Sequence, residues 1–172
     1  VADAVLLPGN PERVPTIAAD WTDATEVASH REYRTVTGAY RGTPVSVTST
    51  GIGSPSAAIA VEELARVGVE TLIRVGSCGA LPADVAPGDL VITEAAVRGE
   101  GTSDEYVRED YPAVADQEVV SALVAAAEEL GHDYNVGTTL STDSFYAGQG
   151  RPGSDGYRPT RTADPRGDPP AG

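Results

Sequence analysis

The sequence predicts an α/β domain, and three observations carry that reading. Short runs rich in β-branched residues alternate with stretches of helical periodicity. A glycine-rich loop follows one predicted strand after another, at Pro8-Gly9, at Thr50-Gly51-Ile52-Gly53 and at Gly76-Ser77-Cys78-Gly79. The 172 residues, 40% of them apolar, suffice to fill the core of one domain of ordinary size. Loops of this kind place ligand groups at the carboxyl ends of strands.

The elements follow in order. Ala2 to Leu7 is apolar except for Asp3 and reads as a buried strand ending at Pro8-Gly9. Pro11 to Ala19 reads as a short helix with Asn10 as cap and Pro11 in its first turn. Residues 20 to 30 are charged and poorly periodic, and His30-Arg31 reads as a solvated face. Arg31 to Thr37 and Pro44 to Thr50 read as strands, with Tyr40-Arg41-Gly42-Thr43 as the turn between them. Ser54 to Val67 is a helix in which Ser54 caps, Pro55 opens and Gly68 stops, with Ala58, Val61, Leu64 and Ala65 as its apolar face. Thr71 to Val75 and Asp89 to Val97 are strands. Asp116 caps a helix running to Leu130, with Val119, Val120, Leu123, Val124 and Ala127 turned inward and Gly131 closing it. Val136 to Leu140 is a further strand.

Charge narrows the function classes. Twelve basic residues, all arginine, stand against 26 acidic ones, for a net charge of −14. Such a chain repels nucleic acid and anionic membranes, which call for a positive surface. Acidity without lysine suits a high-salt cytoplasm, where screening is strong. A single cysteine excludes an internal disulfide framework and a cysteine-rich metal site. No apolar run approaches a membrane span, and no basic-then-apolar signal segment opens the sequence. The charge is uneven: residues 1–146 hold 23 acidic and 8 basic side chains, whereas residues 147–172 hold 3 and 4 and are rich in proline and glycine. Residues 159–172 are therefore expected to be a disordered or out-of-frame tail.

Within this acidic chain, a few arginines stand beside glycine or hydroxyl residues at element ends. Arg13 lies four residues after Gly9. Arg74 sits inside an apolar strand, where a charge is costly unless it is paired or binds an anion. Gly76-Ser77-Cys78-Gly79 can offer backbone N–H groups and the Ser77 hydroxyl. Gly9, Arg13, Arg74 and Ser77 thus suit a phosphate or carboxylate, which arginine grips as a fork. A solvated helix arginine, a structural ion pair and a turn hydroxyl account for Arg13, Arg74 and Ser77 equally simply. Cys78 reads as a small core filler. His30 and His132 are the only histidines, and neither has a nucleophile-elbow partner. Phe145, Gln149 and Arg151 lie close together in sequence. An aromatic face followed by an amide and a guanidinium suits a flat polar heterocycle, or else an aromatic anchor with two solvated neighbours.

These segments together carry a resemblance. LLPGNPERV at 6–14, SHREY at 29–33, STGIGSPSAAIAVEEL at 49–64, RVGSCGAL at 74–81, GDLVI at 88–92, EGTSDEY at 100–106, YPAVAD at 111–116 and DSFYAGQGR at 143–151 resemble the nucleoside phosphorylase family, in its uridine phosphorylase branch. The match keeps the family's order and spacing from Ala4 to about Arg158. It implies a three-layer α/β domain with a central mixed sheet flanked by helices, its N-terminal part in residues 1–158. It also implies elements outside this sequence: a histidine ahead of Val1, and beyond Arg158 a Glu-Met-Glu stretch for ribose, a strand and a closing helix. The expectation is therefore an incomplete domain.

The resemblance further implies roles. Gly9, Arg13, Arg74 and Ser77, the last usually threonine, match phosphate-binding positions. Arg31 matches an arginine that reaches the neighbouring subunit's phosphate, which implies homodimer units, assembled in a homohexamer. Glu32 resembles a residue holding a monovalent cation, potassium, at the dimer interface. Phe145, Gln149 and Arg151 match uracil-binding positions. The implied reaction is phosphorolysis of uridine in the cytoplasm, with inorganic phosphate as co-substrate and no further cofactor. A nucleosidase of the same fold and an inactive remnant are the competing readings.

Overall fold

The computed structural model describes residues 1–156, so the expected tail at 159–172 lies outside the described residues. The chain divides into two compact units, one of residues 1–79 and one from residue 80 onward.

The first unit is a mixed five-stranded sheet. β1 (Ala4–Pro8) runs parallel to β4 (Thr43–Thr48) on one side and to β5 (Thr71–Val75) on the other. β2 (Thr22–His30), β3 (Tyr33–Tyr40) and β4 form an antiparallel meander, giving the order β2-β3-β4-β1-β5. Alternation along β1 sends its side chains into two cores. Val5 and Leu7 pack with Leu64 of α2 (Ser54–Arg66), and Leu6 packs with Val14 and Ala18 from the region of α1 (Arg13–Ile17). The sheet thus has a helix on each face, the layered mixed α/β arrangement expected. Polar groups buried around β4 satisfy one another: the Thr35 and Thr48 hydroxyls lie 3.0 Å apart, and Ser46 Oγ donates to Thr37 Oγ1 at 2.9 Å.

The second unit holds a three-stranded sheet. β6 (Leu90–Gly99) pairs parallel with β8 (Tyr134–Thr142) and antiparallel with the short β7 (Ala113–Val114). α3 (Gln117–Leu130) covers this sheet through Val120 and Ala127, packed with Ile92, Leu123, Val124 and Tyr134. Its predicted ends hold. Asp116 Oδ1 accepts the N–H groups of Glu118 and Val119, and Gly131 closes the helix at φ 68°. A side-chain cap of this kind contributes about 1 kcal/mol.

Four local expectations are corrected. The charged stretch before His30 is a strand, β2, with every residue exposed. α1 is shorter than predicted: Asn10 Oδ1 accepts the Glu12 N–H at 3.0 Å in an entry turn, and helical residues begin at Arg13. Gly53, not Ser54, caps α2, because that position has φ 107°, which only glycine takes without strain. The buried stripe of α2 is Ala60 and Leu64, whereas Val61 and Ala65 face solvent. Apolar residues surround that helix, so its periodicity does not choose a face. Among the described residues, no helix is long and apolar enough to cross a membrane.

Candidate functional site

In the first unit, the pairing of β1 with its neighbours builds a cradle. The parallel ladder between β1 and β4 continues into the loops that follow them: Thr50 N–H donates to Pro8 O and Gly51 N–H to Gly9 O, each at 2.9 Å. A Cβ on Gly9 would lie 3.0 Å from Gly51 O and 3.2 Å from Arg74 Nη2, so a larger residue there would crowd both. On the other side of β1, the register sets Leu7 opposite Arg74.

Arg74 turns its guanidinium over this glycine-lined end of the sheet. Nη1 donates to Leu7 O and to Val75 O, each at 2.8 Å. A guanidinium carries five N–H donors. Those on Nε and Nη2 make no hydrogen bond among the described residues. No carboxylate pairs with Arg74 either: the ion pairs among the described residues join Arg34 to Glu26, Arg98 to Asp104 and Arg108 to Asp110. Among the described residues, the structural ion pair that would account for Arg74 more simply is not formed. Partial desolvation, and then the nearby positive charge of Arg13, lower the Arg74 pKa from its ordinary value. Two like charges held this way gain from an anion placed beside them.

Arg13 begins α1 and is exposed, as is Ser77 in the loop after β5. Gly76 packs against Arg74, its would-be Cβ lying 3.2 Å from Nη1. Arg31 stands at the tip of the β2–β3 hairpin with φ 54°, exposed and without an ion-pair partner among the described residues. The next residue, Glu32, lays its side chain against Gly51, where a Cβ would come within 2.8 Å of Glu32 Cγ, and its carbonyl accepts Ser49 Oγ at 2.6 Å. No group of three or more His, Cys, Asp or Glu that could hold a metal exists among the described residues. A cation at Glu32 would need ligands beyond these side chains. Cys78, expected in the core, is exposed, because the loop after β5 leaves the sheet before that residue.

In the second unit, the loop after β8 gathers the three predicted base-binding residues. The Arg151 guanidinium lies 4.3 Å from the centre of the Phe145 ring, and its Nε donates to Gln149 Oε1 at 3.1 Å. Tyr146 packs edge-on against Phe145, with ring centres 5.3 Å apart. Phe145 is 58% exposed, so it anchors no core. The loop holds itself: Ser144 Oγ accepts the Gly148 N–H at 2.8 Å and Tyr146 O the Arg151 N–H at 2.9 Å. A planar face, an amide and a guanidinium form one small cluster that can stack a ring and bond its polar edge.

The sequence reading missed Arg98. Its side chain is 12% exposed and organises residues 103–111. The signal was present: like Arg74, it is a lone arginine in an apolar strand, just before a glycine.

The chain is 64% identical over 160 residues to a uridine phosphorylase of Thermococcus kodakarensis, covering 93% of this chain and 58% of that protein. It is 49% identical over 146 residues to a guanosine phosphorylase of Halorubrum lacusprofundi, covering 85% and 61%. It is 46% identical over 150 residues to a uridine phosphorylase of Escherichia coli, covering 87% and 59%. The chain therefore spans about three-fifths of the length of these relatives. The profile described as the Phosphorylase superfamily matches residues 3–164, nearly the whole sequence, and the chain belongs to that superfamily.

Proposed function

We propose that the protein acts in the phosphorolysis of uridine, giving uracil and ribose 1-phosphate. One observation carries the reading: Arg74 is hooked to two backbone carbonyls, has no carboxylate partner among the described residues, and keeps the donors of Nε and Nη2 open at the glycine-lined end of the sheet. That arrangement suits an oxyanion, which can take the open fork of donors and whose negative charge is favoured near two guanidinium groups. The uridine phosphorylases at 64% and 46% identity support the choice of reaction and nucleoside.

Phosphorolysis calls for an oxyanion fixed beneath the sugar and a base that leaves with its charge stabilised. Arg13, Arg74, Ser77 and the Gly9 loop hold the phosphate. Its negative charge offsets the positive charge that develops at the ribosyl C1′ as the glycosidic bond breaks. Phe145 stacks the uracil, while Gln149 and Arg151 bond its polar edge and take up the charge on its carbonyls. No covalent enzyme intermediate is required. Arg31, at an exposed hairpin tip, reaches the phosphate of a neighbouring copy, so a homodimer is the smallest working unit and a hexamer its larger assembly. Glu32 at that same tip accepts a monovalent cation, with other ligands supplied from outside this chain. The negative surface without lysine fits work in a salt-rich cytoplasm.

The test is release of uracil from uridine at high salt, with and without phosphate, and with guanosine in parallel because one relative bears that name. Turnover of uridine only when phosphate is present is the expected result. Release without phosphate marks a nucleosidase, preference for guanosine refutes the assigned base, and no turnover of either nucleoside marks a non-catalytic chain.

A further inference from the structure

We propose that Asp143 is a positioning residue for base recognition, tying the loop that bears Phe145, Gln149 and Arg151 to a neighbouring loop that Arg98 holds in shape. This inference rests on the base-binding role proposed above.

β6 and β8 run parallel and end together, with Arg98 opposite Ser141 and Gly99 opposite Thr142. A Cβ on Gly99 would lie 2.6 Å from Ser141 O, so the two strand ends meet at a distance only glycine allows. From there the two loops leave side by side. Arg98 gathers the first one: Nε donates to Ser103 Oγ at 2.8 Å, Nη2 pairs with Asp104 Oδ1 at 2.5 Å, and Nη1 donates to Arg108 O at 2.7 Å and Tyr111 O at 3.2 Å. The Glu100 carboxylate accepts the N–H groups of Thr102 and Ser103. The intervening Gly101 N–H donates outward, at 3.0 Å, to Asp143 Oδ2. Asp143 lies two residues before Phe145, at the root of the second loop. The hydrogen bonds within that loop, from Gly148 to Ser144 and from Arg151 to Tyr146, shape it without fixing where it stands on the sheet. The Gly101–Asp143 bond supplies that fixed point. A shift of the root displaces the ring, the amide and the guanidinium together, while the arginine cradle of the first unit has no part in this chain of bonds.

Steady-state rates of Asp143→Ala and Asp143→Asn, with uridine and phosphate varied separately, test the assignment. Asp143→Ala should raise KM for uridine about five-fold, the loss expected for one exposed bond to a charged acceptor, and leave KM for phosphate unchanged. Asp143→Asn keeps a carbonyl that can accept the Gly101 N–H, and should restore most of the uridine KM. Equal effects on both substrates, no effect on uridine, or no rescue by asparagine would overturn the proposal. If Asp143→Ala does not fold, Gly101→Pro removes the same bond from the donor side and must give the same split. If the wild-type chain shows no phosphate-dependent turnover, the phosphorolysis reading fails by itself, and calorimetry with uracil decides the present inference. Weaker uracil binding by the alanine variant supports it, and equal or undetectable binding by both proteins overturns it.

Discussion

Arg74→Ala separates the proposed role of the arginine cradle in phosphate binding from its role in the fold. In the fold, the substitution removes two hydrogen bonds, to Leu7 O and Val75 O. Each is worth about 0.5–1.5 kcal/mol net, but water replaces the donor at an exposed site and the repulsion with Arg13 disappears, so stability should change by less than about 2 kcal/mol. For phosphate, the loss is a fork of charged donors. Truncating one partner of a close, desolvated charge pair costs about 2–5 kcal/mol. Arg74 is exposed in the described structure, which places its cost in the lower part of that range, about 2–3 kcal/mol, or a factor of roughly 30 to 150. The assay is uracil release across a phosphate titration, with urea unfolding of both proteins as the control. The expected result is a collapse of kcat/KM for phosphate with a nearly unchanged unfolding midpoint. Arg74→Lys should fall between the two proteins, because an ammonium keeps the charge without the planar fork. Phosphate saturation identical to wild type would refute the cradle as the phosphate site.

Three further outcomes are expected. Gly9→Ala forces a Cβ against Gly51 O, which its own ladder bond holds in place, so chemical denaturation should show a loss of about 1–3 kcal/mol, and phosphate KM should rise with it; an unchanged protein would mean that the two loops can part freely. If Arg31 serves a neighbouring copy, co-refolded Arg31→Ala and Arg74→Ala chains should recover roughly a quarter of wild-type activity, because half of randomly paired dimers carry one intact site; recovery no greater than the sum of the separate variants would place Arg31 in its own chain's site. The pKa of Tyr33 is raised above 10.0, chiefly by desolvation and then by Glu32, and that of Tyr134 chiefly by its bond to Glu128. Both folded forms hold their protons longer than the unfolded chain, so their stabilisation is complete below pH 10.0 and fades as pH climbs through the raised values. Unfolding midpoints followed into alkali should fall less steeply in the Tyr33→Phe, Tyr134→Phe double variant, and an identical slope would remove these two groups as the cause.

The parts legible in advance were those with local causes. Asp116 and Gly131 bound α3 correctly because a cap acts within a few residues of the backbone it satisfies. The strands β1, β5 and β6 announced themselves by apolar content, since each is at least partly buried. β2 gave no such sign: all its residues are exposed, and only its pairing with β3 makes it a strand. The buried face of α2 was equally hidden, because Val5 and Leu7 of β1 select Leu64 from a helix with apolar residues on several sides.

For the candidate sites, residue types and order along the chain were enough to single out Gly9, Arg13, Arg74 and Ser77, and Phe145, Gln149 and Arg151, since an arginine inside an apolar strand needs a reason wherever it occurs. The sequence by itself also determined the acidity, the absence of lysine and the family. Tertiary structure alone decided that Arg74 answers to backbone carbonyls and feels the charge of Arg13, with no carboxylate partner among the described residues, that Cys78 faces solvent, and that Arg98 orders residues 103–111. The physical reason is that these outcomes depend on strand register. Leu7 meets Arg74, and Gly99 meets Thr142, only once residues distant in the chain are paired, and no local preference encodes that pairing.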